Sequence, residues 1–143
     1  MSINNINLRG LDHIVLRIVN LDAALAFYCE ALGCSVERRN DKLGLIQLRA
    51  GNALIDLVPV DGPLGQKGGA AAGSEGRNMD HFCLQVQPFD GAAIQAQLAA
   101  HGISAGPVET RYGAQGTGPS IYIQDPDGNT VELKGPATGQ SPS

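Results

Sequence analysis

A chain of 143 residues and 14.9 kDa is one domain's worth of polypeptide, enough for a core of ordinary size. Its 43% hydrophobic and 17% charged residues are those of a soluble globular protein, and a net charge of −4 leaves no basic stripe for nucleic acid or an anionic membrane. No apolar run is long enough to span a bilayer and MSINNINLRG carries no signal-peptide pattern, so a cytoplasmic location is the default expectation.

Residues 1–10 read as a polar lead-in, and Leu11 to Val19 as a strand rich in β-branched and apolar side chains. At a period of two, His13, Val15 and Arg17 share one face while Ile14, Leu16 and Ile18 share the other. The apolar face is expected to pack against a helix. The face with His and Arg must then look into something polar. Asn20 and Asp22 offer N-cap chemistry for a helix over Ala23–Leu32, closed by Gly33, with Leu21, Leu25, Tyr28, Cys29 and Leu32 as its apolar stripe. Strands over 35–39 and 43–49 follow, and a Gly51-Asn52 turn leads into a strand at 53–58. Asp56 is unusual there, a carboxylate within an otherwise apolar strand, on the face of Leu54 and Val58. Residues 59–78 are rich in Gly and Ala and read as a mobile connector, either a plain linker or a lid.

The order then repeats. A strand over Asp80–Gln87 precedes a helix opened by Asp90 and closed by His101-Gly102, where His101 suits the negative end of the helix dipole. Residues 103–117 read as one short strand and a Gly-rich loop, Arg111 to Gly118. Strands at 120–124 and 130–134 flank the turn Asp125-Pro126-Asp127-Gly128-Asn129, and the tail 136–143 is expected to fray. Cys29, Cys34 and Cys83 cannot all pair in one chain and form no CxxC, so they are expected as reduced, mostly buried thiols.

Asp12-His13 and Asp80-His81 stand 68 residues apart (81 − 13), each opening a strand that a helix follows. Each copy also ends on a turn and a strand with an embedded acid, Asp56 in the first and Glu132 in the second. Four residues of metal-ligand type at matched ends of a duplicated unit are far more specific than any one His or Glu. Two imidazoles and a carboxylate with an open coordination side suit Fe(II), Mn, Ni or Zn. The bland alternative is a pair of satisfied core histidines and an ordinary buried acid.

The segments LDHIVLRIVNLDAALAFYCEALG, MDHFCLQV and IYIQDPDGNTVEL resemble the vicinal oxygen chelate superfamily, which includes glyoxalase I, fosfomycin-resistance proteins, extradiol dioxygenases and bleomycin-binding proteins. The resemblance spans about residues 10–136 of a single domain, 1–143, and the Asp-Pro-Asp-Gly-Asn turn is its most specific piece. It implies an α+β fold of two tandem βαβββ modules, about 10–58 and 79–135, whose sheets curve into a cup around a metal. It places metal ligands at His13, His81 and Glu132, and implies a homodimer in which a site is often built from modules of two chains.

Glyoxalase I-type enzymes carry a Glu ligand at the place of Asp56 and a carboxylate-gripping Arg four residues after the first ligand, a spacing that Arg17 matches. Asp is one methylene shorter than Glu, which argues for a water-mediated contact or a pairing with Arg17 rather than direct ligation. Ser120 and Tyr122 stand where fosfomycin-resistance proteins carry a Ser-x-Tyr, but the remaining phosphonate ligands of those proteins are not evident. If each ligand faces the cup, strand parity adds Arg17, Cys83, Gln85, Ser120, Tyr122, Gln124 and Lys134 to its lining. So many polar groups suit a wet cavity better than a core, and Arg17 and Lys134 favour an anionic or carbonyl-bearing small molecule. The expected activity is that of a glyoxalase-like lyase or isomerase, with a divalent metal as Lewis acid stabilising an enediolate and Glu132 or Asp56 moving the proton. Gln85, Ser120, Tyr122, Lys134 and Arg17 are the expected substrate contacts. The alternatives are an extradiol-type dioxygenase, a fosfomycin-resistance-type transferase or hydrolase, and a non-catalytic bleomycin-type binding protein.

Overall fold

Alternation along the strands decides the layering, because it gives each sheet one apolar and one mixed face. In the computed structural model, which describes residues 3–138, the chain forms two four-stranded mixed sheets. The first holds β1 (His13–Ile18), β2 (Ser35–Asn40), β3 (Leu45–Ala50) and β4 (Ala53–Pro59), in the order β1-β4-β3-β2. The second holds β5 (His81–Gln85), β6 (Glu109–Gly113), β7 (Gly116–Gln124) and β8 (Thr130–Lys134), in the order β5-β8-β7-β6. Each is a βαβββ module with its first strand parallel to its last and the other pairs antiparallel. This is the α+β architecture the repeat predicts. The two sheets share no strand ladder.

The apolar faces meet in one core. Leu16, Ile18, Ile55 and Leu57 of the first sheet join Ile121, Ile123, Val131 and Leu133 of the second, with Phe27, Tyr28 and Leu98 from the helical segments. Helix α1 is shorter than the sequence pattern predicts: Leu21–Leu25 is α-helical, and Ala26–Ala31 is a π-helical turn. The wider turn accompanies burial of the adjacent rings Phe27 and Tyr28. Asn20, rather than Asp22, is the N-cap, accepting from the Ala23 amide at 2.9 Å. Helix α2 (Gly91–Ala100) is capped by Asp90 as expected, with the Ala93 amide donating to its carboxylate at 3.1 Å.

Turn 125–129 joins the modules. Asp125 accepts from the backbone amides of Asp127 and Asn129 and from the Asn129 side chain, at 2.8–2.9 Å. Its other partner is the buried Tyr28 hydroxyl, which donates at 2.6 Å across 97 residues of chain. The Val19 amide donates to the Asp127 carboxylate at 2.9 Å. The most family-specific piece of sequence is therefore a knot between the two halves.

Three regions depart from the sequence reading. The Gly-rich stretch after Arg111 is a hairpin of β6 and β7, because ladder pairing of residues 109–113 with 116–120 outweighs the local Gly and Pro signal. Gly118 fits there because a Cβ would meet the Pro136 carbonyl oxygen at 2.3 Å. The connector 59–78 is tied down by a 3₁₀ turn (Gly65–Gly68), by Arg17, and by Arg77, which donates to Asp127 and Asn129. The thiols are less buried than expected, Cys29 and Cys34 being half-buried and Cys83 exposed. Of the tail, residues 136–138 run beside β7, where the Thr138 amide donates to Thr117 at 2.9 Å; residues 139–143 lie outside the described part. At the other end, residues 3–12 are exposed throughout, Leu8 at 89% and Leu11 at 90%.

Candidate metal centre

The faces opposite the core carry the polar residues that parity selects. Register makes the two modules equivalent: Val15, two residues past His13, pairs with Asp56, and Cys83, two residues past His81, pairs with Glu132. On the antiparallel side Gln47 stands opposite Asp56, and Tyr122 stands opposite Glu132. Asp56 and Glu132 therefore occupy the same place in each copy, although their sequence offset differs from that of the histidines.

In the second module the imidazole and carboxylate converge. His81 Nε2 lies 3.1 Å from Glu132 Oε1, and the Ser120 hydroxyl donates to Glu132 Oε2 at 2.8 Å. Glu132 is 6% exposed and Ser120 is buried beside it. The Tyr122 ring stands edge-on to His81, with centroids 5.5 Å apart. His81 Nδ1 is 2.7 Å from Asp80 Oδ2, and His13 Nδ1 is 2.7 Å from Asp12 Oδ2. A carboxylate on Nδ1 holds a proton there, the usual arrangement behind a metal-ligating His whose Nε2 turns to the ion; without an ion, His81 Nε2 pairs with Glu132 instead. The same contacts raise both imidazole pKa values, led in each by the hydrogen bond to the preceding Asp. The repeated Asp-His dipeptide was visible in the sequence; the role of its Asp becomes evident only from these distances.

The first module is less complete. Asp56 is 4% exposed; the Gln47 side chain donates to its Oδ2 at 3.2 Å, and its buried Oδ1 has no partner among the described residues. A buried carboxylate oxygen without a donor is costly, so an orphan of this kind marks a place where a cation, water or ligand group belongs. Among the described residues no three His, Cys, Asp or Glu side chains cluster tightly enough to hold an ion. The chain alone thus presents His81 with Glu132 in one half-site and His13 with Asp56 nearby in another.

The residues expected to touch substrate divide by what already occupies them. Arg17 donates to Gly65 O from Nε and Nη2, to Ala70 O from Nη1 and to Gly69 O from Nη2, at 2.5–3.0 Å. Gly68 leaves room for it: a Cβ there would lie 2.4 Å from the guanidinium carbon and push the Arg17 side chain aside. The buried Lys134 ammonium donates to Gly116 O at 2.9 Å and Gly135 O at 3.3 Å. Both cations thus bind backbone. Gln85 is exposed and pairs in register with Lys134, while Gln124 is exposed and pairs with Thr130. The exposed Cys83 has its thiol pKa pushed up to about 11, by desolvation first and then by the Glu132 charge, which keeps it protonated at neutral pH. Gln47 and Arg111 were absent from the sequence expectation. Register places the first opposite Asp56, and the second was masked by the loop reading of its segment.

The donor set fits a divalent transition ion. It has two imidazoles whose Nδ1 atoms are held by carboxylates, the Glu132 oxygen converging on one of their Nε2 atoms, and an unpaired Asp56 oxygen. Paired βαβββ modules with such a set on their open faces define a glyoxalase-like protein. The family model of the Glyoxalase/Bleomycin resistance protein/Dioxygenase superfamily matches residues 10–133, and the chain belongs to that superfamily. It is 33% identical over 124 residues to virulence protein STM3117 of Salmonella typhimurium, covering 86% of this chain and 81% of that protein. It is 32% identical over 140 residues to the glyoxalase domain-containing protein RDO1 of Mycosarcoma maydis, covering 90% and 69%. The structure VPC_CASS1, from the mobile metagenome of V. Pseudocholerae, superposes with a TM-score of 0.74 at 24% identity, covering 93% of this chain and 98% of that one.

Proposed function

We propose that this protein is a metal-dependent glyoxalase-like lyase or isomerase working as a homodimer. Each centre takes His13 from one copy and His81 with Glu132 from the other. The observation that carries the reading is His81 Nε2 at 3.1 Å from Glu132 Oε1, with Nδ1 held by Asp80 and the same Asp-His pair repeated at His13. Two ligands are too few for a stable centre, and an ion with three protein ligands keeps an open position for substrate. A second copy would supply the third ligand from its own first sheet, where His13 opens β1. The exposed apolar side chains Ile3, Ile6, Leu8 and Leu11, leading directly into His13, favour such a partner.

When bound, the metal supplies Lewis acidity toward the oxygens of a small carbonyl or vicinal-oxygen substrate. The chain's own residues do the rest. Asp12 and Asp80 orient the imidazoles, and Ser120 holds Glu132 through Oε2. Asp56 has a bare oxygen in a shielded place and accepts the substrate proton, with Gln47 holding its other oxygen. Glu132 is the second candidate for that proton.

The test uses the metal-binding defects of His13→Ala and His81→Ala. Each variant alone is expected to bind little nickel or zinc, and unfolding and refolding the two together should restore up to one intact centre per mixed dimer. Metal content and turnover of a hemithioacetal report the result. No recovery on mixing would place the centre within one chain, and a protein that stays metal-free after reconstitution would be a ligand-binding module instead.

A further inference from the structure

The proposed centre leaves the substrate's charge unassigned, because the two cations suggested by strand parity hold backbone carbonyls. Releasing Arg17 would free the connector from four hydrogen bonds, and moving Lys134 would orphan a buried ammonium. Arg49 is held on two sides of its guanidinium by Glu37, at 2.8 and 3.3 Å. Arg111 differs in place and in cost.

Arg111 lies on β6, the outer strand of the second sheet, with its guanidinium carbon 5.8 Å from the Tyr122 ring centroid. Tyr122 in turn stands edge-on to His81 and opposite Glu132 in register. His81, Glu132, Tyr122 and Arg111 thus come one from each strand in the order β5-β8-β7-β6, a continuous line from the candidate ligands to the sheet edge. The guanidinium pairs with Glu109 through Nη2 and with the Thr110 carbonyl through Nη1, and the Tyr122 side chain stands beside it. Both Arg111 and Glu109 are exposed, and a solvated ion pair is worth little, so an incoming oxyanion displaces it cheaply. The Tyr122 hydroxyl favours the charged guanidinium and offers a second donor beside it.

Resting on the metal-dependent reading above, we propose that Arg111 and the Tyr122 hydroxyl form an anion subsite. The substrate would then carry a carboxylate or phosphonate group apart from the two oxygens it presents to the metal. Arg111 is a specificity residue in this proposal, and Tyr122 is the platform between charge and centre.

A matched pair of probes separates this subsite from metal chelation. 3,4-Dihydroxybenzoate and 4-methylcatechol present the same vicinal oxygens, but only the first carries a carboxylate. Titration calorimetry on the zinc-loaded protein should show the benzoate binding about tenfold tighter, the scale of a charge-assisted hydrogen bond. Arg111→Gln should abolish that preference, Arg111→Lys should keep part of it, and the unfolding temperature of both should match the parent. Equal affinities for the two probes in the parent, or an undiminished preference in Arg111→Gln, would overturn the subsite and leave the metal centre standing. If neither catechol binds the zinc-loaded protein, the subsite is overturned; if the protein takes up no zinc at all, the metal-centre reading fails and the subsite falls with it.

Discussion

The two modules share a frame and differ in chemistry. In each, the acid of the last strand sits opposite the residue two past the His of the first, so backbone register is conserved between the halves. Glu132 reaches His81 and is held by Ser120; Asp56, one methylene shorter, leaves a buried oxygen unpaired beside Gln47. Duplication therefore preserves the place of a functional group more faithfully than its reach. A carboxylate oxygen left unpaired in this way is available to a cation, a water or a proton.

The largest expected effect breaks the link between the modules. Tyr28→Phe removes the hydroxyl that joins α1's π-helical extension to Asp125, a buried hydrogen bond to a charged group worth about 1.5–3 kcal/mol. Urea unfolding should show that loss as a single lowered midpoint, whereas two separated transitions would mean the modules fold independently. Burial, foremost, raises the Tyr28 pKa far above its ordinary 10.0. The unfolded chain then releases this proton before the folded chain does, and stability falls as pH rises past about 10. The parent's stability should decline there more steeply than that of the Phe variant.

A smaller effect tests whether the Asp-His pairs are equivalent. Asp80→Asn and Asp12→Asn each remove the charge behind one imidazole and should weaken zinc binding about tenfold or more. Similar losses, measured by competition with a chromophoric chelator, would show that both histidines serve one kind of centre. A loss confined to Asp80→Asn would mean that His13 is not a ligand.

The smallest effect separates the two acids. Asp56→Asn replaces a buried carboxylate, one of whose oxygens is unpaired, by a neutral amide, and is expected to hold or raise stability by up to about 1 kcal/mol. Ser120→Ala, which strips Glu132 of its donor, is expected to lower stability by about 1 kcal/mol or more. Denaturation midpoints of the two variants moving in the same direction would show that the acids are equally satisfied.

Much of this was legible from residues alone. A duplicated Asp-His at a fixed spacing, alternating strands and two embedded acids marked a repeated unit and the face each polar group would take, and the resemblance carried by those segments implied the paired βαβββ frame. Parity settles orientation because successive side chains in a strand must point opposite ways. It says nothing about what arrives at that face from elsewhere in the chain. Only tertiary structure decided that Arg17 and Lys134 meet carbonyls of the connector and the β6–β7 hairpin, and that Arg111 emerges from a stretch that read as loop. Tertiary structure likewise left His13 and His81 on two sheets that share no ladder. Those outcomes depend on contacts between residues tens of positions apart, set by packing of one core between both sheets, and no local pattern encodes them.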